Sequence, residues 1–437
     1  MTPMQPLSWL GIVRLGLVQT ALGAIVVLTT STINRIMVVE LGLAAMIPGA
    51  LVVMYHGFQM LRPRWGYGAD QRARRTPWII GGMAVLATGG LGAAVSVAWM
   101  ETAMTPGLIA AVVSFTLIGL GLGASATNLL ALLAIRVSAE RKPAAASIVW
   151  IMMIAGLAVT GIVAGIQLDP YSPERLVAVS AVVSAGSILL TIVALWGMEP
   201  EAAVPAPQRQ TVNFRAAIAE VWDDPTMRAF SIFVFVAMLA YNTQDLILEP
   251  FAGHVFGMTP GQSTALAGTQ HSGALLGMIT VALLGSAVGG SIFGNMRLWT
   301  VGGCIASGAA LVMLGLGGMT GPDWPLSLNV FLLGLANGTF AVAAIGSMMG
   351  LASQGGNARA GTKMGVFGAA QSIGFALGGF AGTAAVDAMR LLTERLTLAY
   401  GTVFIAEGIV FLVAALMAAR AAGAFALGSR SQLVPGE

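Results

Sequence analysis

Apolar runs long enough to cross a lipid bilayer recur along almost the whole of this chain. The hydrocarbon core of a bilayer is roughly 30 Å thick, and a helix crosses it with about 20 mostly apolar residues. Runs that meet this requirement lie at 15–36, 41–60, 77–99, 107–135, 145–167, 176–198, 228–250, 264–288, 298–319, 326–351, 365–387 and 398–420. Only 9% of the residues are charged, against about 25% in an ordinary soluble domain. So few charges do not cover a water-facing surface of this size. The expected fold class is an all-α membrane protein of about twelve transmembrane helices, not a soluble enzyme. The 57 glycines fit that class, because small residues let helix backbones approach closely in lipid. The first run is too long for a cleavable signal. The stretch 7–13 before it reads as an interfacial segment.

Basic residues give the orientation. With the N-terminus inside, 17 of the 21 Lys and Arg residues fall in inner segments. Only Arg35, Arg175, Arg390 and Arg395 fall outside. This is the positive-inside pattern, and it supports an even number of spans with both termini cytoplasmic. It also accounts for the basic balance without nucleic acid. Trp78, Trp99, Trp196, Trp299 and Trp324 fall near span ends, as an aromatic belt requires.

The longest polar stretch lies at mid-chain and opens with Pro200, Pro205 and Pro207, a linker composition. Phe214, Ile218, Val221 and Trp222 then recur at helical spacing, so a surface amphipathic helix is expected. The chain divides into an N-terminal six-helix half (1–198), a cytoplasmic linker (199–227), a C-terminal half (228–420) and a tail (421–437). Gly119-Leu120-x-x-Gly123 recurs as Gly334-Leu335-x-x-Gly338 in the corresponding span of the second half. Two parallel halves with a central linker favour the major facilitator architecture.

Several features carry candidate chemistry. The loop after the second span holds Gly66, Asp70, Arg72, Arg74 and Arg75. A glycine followed by an acid and then bases suits a gating latch in which the carboxylate ties helix ends; a plain topogenic loop needs only the bases. The seventh span ends in Gln244-Asp245-Leu-Ile-Leu-Glu249-Pro250. An ionisable group within a span is costly and marks a functional candidate. Asp245 and Glu249 share a helix face, with Glu249 expected at the outer interface and Asp245 a turn deeper. The competing explanation for Asp245 is a packing hydrogen bond to Asn242 or Gln244. Glu407 is a further isolated acid.

His56 and His271 fall within spans, and His254 in an outer loop. Gln270 and His271 put two polar groups in one turn. A neutral imidazole is a common metal ligand, and either span histidine suits the magnesium of a chlorin; a lone span histidine is more often a structural hydrogen-bonder. No spacing supports a bare metal site, and the single cysteine, Cys304, excludes a cysteine cluster. Glycine seams at Gly161/Gly165, Gly346/Gly350 and Gly374/Gly378/Gly382 are read as close helix packing, or else as flat faces for a planar macrocycle. No catalytic or nucleotide motif is present.

Four stretches carry a resemblance. They are Arg64–Met83, Gln244–Gly257, Gln270–Met278 and Gly361–Gln371, with Val18–Gly23 and Asn34–Glu40 alongside. Together they resemble the PucC/LhaA family of phototrophic bacteria. That resemblance implies a major facilitator fold in the inner, cytoplasmic or intracytoplasmic photosynthetic, membrane. It implies bacteriochlorophyll or a precursor as bound cargo, delivered to antenna polypeptides in light-harvesting assembly. Partners implied are antenna polypeptides, bacteriochlorophyll synthesis enzymes and membrane lipid. Some members bear a "bacteriochlorophyll synthase chain" label, although no catalytic motif accompanies it here. Pigment-binding candidates are His56, Gln270, His271, Gln244, Asp245 and Glu249. Two alternatives stand beside this: a proton-coupled transporter of a small or hydrophobic solute, and a non-catalytic subunit of bacteriochlorophyll synthesis.

Overall fold

A computed structural model describes residues 7–59, 61, 65, 74–138, 141–199, 222–285, 295–321, 323–353 and 357–420. Among these the chain is helix and short connection, with no strand. The first helix, α1 (Trp9–Val27), runs on through two π-helical segments, Leu28–Ile33 and Ile36–Glu40. The others are α2 (Met46–Gln59), α3 (Thr76–Met100), α4 (Met104–Arg136), α5 (Lys142–Leu168), α6 (Pro173–Leu195), α7 (Pro225–Phe256), α8 (Pro260–Leu284), α9 (Met296–Thr320), α10 (Leu326–Ser353), α11 (Asn357–Thr393) and α12 (Leu396–Arg420). Ten of the twelve are long and apolar enough to cross a membrane on their described residues. The two others are α2, only 14 residues long, and α8, whose Gly, Gln, Ser and Thr content lowers its hydropathy.

Local chemistry sets the helix ends. The Ser8 hydroxyl accepts from the Gly11 N–H and caps α1, so the helix begins at Trp9. The expected interfacial segment at 7–13 is instead the first turn of α1, with Ile12 fully buried. Ser172 caps α6 through the Arg175 N–H, followed by Pro173 at the first helical position. Gly257, at φ +65°, ends α7 in a left-handed turn, with Gly257 N–H bonded to Gly253 O and Met258 N–H to Ala252 O. His254 therefore lies in the last turn of α7, not in a loop.

The chain folds as two compact units: Met1–Gln208 with Ala252–His271, and Arg209–Phe251 with Ser272–Glu437. Within the first, α1 packs on α5 and α6, α3 on α4 and α6, and α2 on α4. Glycines permit these approaches. A Cβ on Gly156 would lie 2.3 Å from Thr20 O, and one on Gly119 would lie 2.5 Å from Tyr55 O. The second unit repeats the pairing six helices later. A Cβ on Gly378 of α11 would lie 2.2 Å from Leu239 O of α7, and one on Gly338 of α10 would lie 2.0 Å from Ala274 O of α8. In the same way α9 packs on α12, with Gly308 against Gly408. The Gly119/Gly334 sequence repeat thus sits on helices that play the same part in each unit.

Two of the glycine seams are close-packed. Gly161 and Gly165 of α5 meet Gly268, Ala265 and Gly261 of α8, and the α11 seam meets α7. Gly346 differs, since no described residue comes nearer than the Met296 sulfur at 3.9 Å.

Arginines tie helix C-termini. Arg14 and Arg136 donate to carbonyls of Trp196 and Met198 after α6, and Arg297 donates to Ala419 O at the end of α12. Each places a cation where the helix leaves its last carbonyls unpaired and its dipole is negative.

Candidate functional site

In the second unit, the polar stretch of α7 faces α11 and α12. Asn242 donates its side-chain amide to Phe375 O at 2.6 Å, and the Thr243 hydroxyl donates to Gly378 O at 3.2 Å. Asn242 therefore braces α11 with its side-chain amide. Gln244 is fully buried, and neither atom of its amide has a hydrogen-bond partner among the described residues. Asp245 is half-buried. Glu249, expected at the interface, is only 1% exposed. The reason is that α7 continues through Pro250 to Phe256, which places Glu249 two turns inside the helix end. Two residues on, Phe251 meets Phe404 of α12 edge to face at 5.0 Å and Tyr400 at a tilt at 5.7 Å. Glu407, a turn further along α12, is 3% exposed. Its carboxyl group lies beside the Gln244 backbone and within electrostatic reach of Asp245.

The histidines differ in tautomer. The His271 Nδ1 lies 2.7 Å from Ala267 O. A carbonyl only accepts, so Nδ1 carries the proton and the neutral ring keeps a free lone pair on Nε2. In His56 the Nδ1 lies 3.3 Å from the Gln59 amide nitrogen, a donor. That assignment puts the proton on Nε2, leaving no free lone pair there. The geometry favours His271 over His56 as a magnesium ligand. Gln270 beside it is buried. Among the described residues, no group of three or more His, Cys, Asp or Glu side chains is placed to hold a bare metal ion.

Of the expected latch, Gly66, Asp70 and Arg72 lie outside the described residues. Arg74 and Arg75 are described, and Arg75 shows a contact that the sequence did not reveal. The Glu199 carboxylate accepts from the Arg75 N–H (2.8 and 2.9 Å) and the Thr76 N–H (2.8 Å). A carboxylate from beyond α6 thus caps the N-terminus of α3, where unpaired N–H groups and the helix dipole both favour an anion. The Arg75 guanidinium also reaches Asn128 of α4 at 3.4 Å. Of the expected amphipathic helix, Phe214, Ile218 and Val221 lie outside the described residues, and Trp222 is described and exposed.

A second overlooked residue is Arg35, which charge counting places as an outer topogenic residue. It is 2% exposed within the π-helical continuation of α1. It pairs with Glu40 at 2.5 Å and donates to Met258 O at 2.5 Å. A Cβ on Gly253 would come within 3.0 Å of the guanidinium. Its position inside an apolar run was the signal that was available. Around it, Thr32 bonds Thr264 at 2.8 Å, and Thr259 donates to Asp169 at 2.9 Å. Nearby, Tyr171 donates to Glu101 at 3.3 Å. Burial first, and the Glu101 charge second, push the Tyr171 phenol above its ordinary range.

An apolar groove of about 580 Å³ runs between α9 and α10 in the second unit. Gly302, Gly303 and Ala306 line one wall, Leu332 and Leu335 the other, with Trp299 alongside.

Residues 32–424 match the family described as PUCC protein. The chain belongs to the PucC family. Among its curated PucC-like relatives, the "Bacteriochlorophyll synthase 44.5 kDa chain" of Rhodobacter capsulatus is 49% identical over 94% of this chain and 95% of that protein. A "Protein PucC" of Rhodobacter capsulatus is 28% identical over 94% and 91%. In structure, this PucC-family chain is similar to the nucleoside transporter NupG, with a TM-score of 0.67 at 14% identity, covering 94% of this chain and 98% of that one. That likeness gives the fold, which is the major facilitator architecture. PucC membership accounts for the resemblance in the α7, α8 and α11 segments and links the chain to the pigment and light-harvesting systems of photosynthetic bacteria.

Proposed function

We propose that the protein is a carrier and assembly factor that binds bacteriochlorophyll, or a precursor, and delivers it to antenna polypeptides in the photosynthetic inner membrane. The observation that carries the proposal is the His271 imidazole. Its Nδ1 is held by Ala267 O, so Nε2 is the free ligand that a chlorin magnesium takes as its fifth partner. The held ring also satisfies the second-shell requirement that fixes a metal-binding histidine in one orientation. Gln270 stands next to it as a polar contact for the macrocycle. The α9–α10 groove supports an apolar cargo by its lining alone.

In this reading the chain is not itself an enzyme; the transporter-like fold and PucC membership support that. The name of the 49% identical relative favours one variation, a non-catalytic subunit working beside the bacteriochlorophyll synthesis enzymes. Both termini lie in the cytoplasm, as the basic residues argue. The two six-helix halves flank a cytoplasmic linker at 199–227, and the loop from Gly66 to Arg75 acts as a latch.

The test is an absorption spectrum of the full chain, purified in mild detergent from a pigment-producing host. A stoichiometric near-infrared band is expected, reduced in His271→Ala and retained in His56→Ala at equal protein abundance. A colourless protein from pigmented membranes would overturn the carrier reading. An unchanged band in His271→Ala removes that residue as the ligand.

A further inference from the structure

The helical stripes of α7 and α12 bring three oxygen-bearing side chains to one place in the second unit. On α7, Gln244, Leu248 and Phe251 recur at i, i+4 and i+7, and so share a face. On α12, Phe404, Glu407 and Phe411 share a face at i, i+3 and i+7. The Phe251–Phe404 ring contact at 5.0 Å sets these faces against each other. The helices run antiparallel, so the α7 residues preceding Phe251 meet the α12 residues following Phe404. Gln244 and Glu407 therefore point into the same buried seam. Glu407 lies beside the Gln244 backbone, and Asp245, next to Gln244 in the chain, is within electrostatic reach of it.

This seam is not satisfied by the protein. Among the described residues both amide atoms of Gln244 are buried without a hydrogen-bond partner, and the buried Glu407 carboxyl has no side-chain partner, only the Gln244 backbone beside it. Buried polar atoms are paired in native proteins, and exceptions point to a guest, either water or an ion. Among the described residues, the surrounding elements offer no counter-charge at this depth. On α7, Arg228 sits at the inner end, while Tyr241, Glu249 and His254 are the other titratable groups. On α9, Arg297 is engaged with Ala419 O at the inner end and Cys304 is the remaining titratable group. On α11, Arg359 and Lys363 belong to the first two turns at the inner end, and Asp387 and Arg390 lie near the outer end, within electrostatic reach of Tyr400 of α12. Helix α10 has no titratable side chain. Two carboxylates and an amide oxygen without an arginine or lysine form a hard, anionic, all-oxygen ligand set. Too few carboxylates converge for a divalent ion among the described residues. The half-buried Asp245 supplies access to the buried pair.

We infer that Gln244, Asp245 and Glu407 form a binding site for a monovalent alkali cation at the α7–α12 contact. The inference does not rest on pigment binding. A cation here balances the carboxylates and takes the amide oxygen as a further ligand.

The experiment measures the melting temperature of the full chain in detergent at pH 8, with sodium, potassium or choline chloride at constant ionic strength. Binding to the folded state alone stabilises it by mass action. At a hundredfold excess over Kd, a chain of 437 residues gains about 3 °C. The expected result is a rise with sodium or potassium over choline, absent in Glu407→Gln and Asp245→Asn. Carbodiimide labelling of wild-type carboxyls, mapped by mass spectrometry, covers the case in which those variants fail to fold. Sodium or potassium is expected to protect the Glu407 peptide. Equal melting in all three salts with no protection overturns the site. Stabilisation that follows falling pH irrespective of the cation assigns the carboxylates to a proton and overturns it as well.

Discussion

Replacing Gly378 with alanine tests whether the α7–α11 seam is held by backbone contact. The added Cβ would lie 2.2 Å from Leu239 O, against 3.4 Å for ordinary contact, so the helices must part by about 1.2 Å. The obstacle is backbone, and no rotamer change relieves it. Overpacking of this kind costs about 1–3 kcal/mol. Parting the helices also stretches Asn242 to Phe375 O and Thr243 to Gly378 O, each worth about 0.6 kcal/mol between helices in a membrane. The total is about 2–4 kcal/mol. With a melting entropy of about 2.1 cal/mol/K per residue, the melting temperature falls by about 2–4 °C. Gly368→Ala is the control on the same helix, because nothing among the described residues lies within 4 Å of its Cβ position. Cys304, the chain's single cysteine and fully buried, reports unfolding through a thiol-reactive fluorophore. Gly378→Ala melting within about 1 °C of Gly368→Ala would refute the reasoning.

Arg35→Gln removes the ion pair to Glu40 and the bond to Met258 O. Glu40 is 38% exposed, so the loss is discounted to about 2 kcal/mol; hydrogen exchange should quicken at 253–262, and unchanged protection there counts against the role. Glu199→Gln weakens the cap on α3 by about 1 kcal/mol and should speed tryptic cleavage after Arg75, whereas an unchanged rate would mean that the cap is dispensable. In ultraviolet titration, the difference between wild type and Tyr171→Phe should place that phenol above ordinary tyrosine. Glu101→Gln should bring it down, since a negative neighbour opposes phenolate formation; no movement would leave burial as the whole cause.

Hydropathy and charge counting located the helices well because both respond to the bilayer, which acts on long windows. They were less informative at the ends, where single side chains decide. The Ser8 cap starts α1 earlier than its apolar run suggests. Helix α11 begins at Asn357 rather than near 365, because its polar first turns are helical without being apolar. Pro250 reads as a stop yet lies inside α7, and so Glu249 is buried rather than interfacial. The acids Asp245 and Glu407 were legible as costly charges in apolar runs; their convergence with Gln244 was not, because it joins helices more than 160 residues apart. Glu199 escaped notice for the same reason, since its cap partners lie 123 and 124 residues away.

The first compact unit is discontinuous, for it includes Ala252–His271. During synthesis the ribosome must therefore extend past α7 and into α8 before that unit is complete. Until then Arg35 has no Met258 carbonyl to hold, Thr32 has no Thr264, and the Gly161 and Gly165 face of α5 lacks its partner. A chain arrested between the sixth and eighth helices leaves the membrane insertion machinery with a buried cation short of an acceptor and a bare glycine face, which are features that membrane quality control can detect.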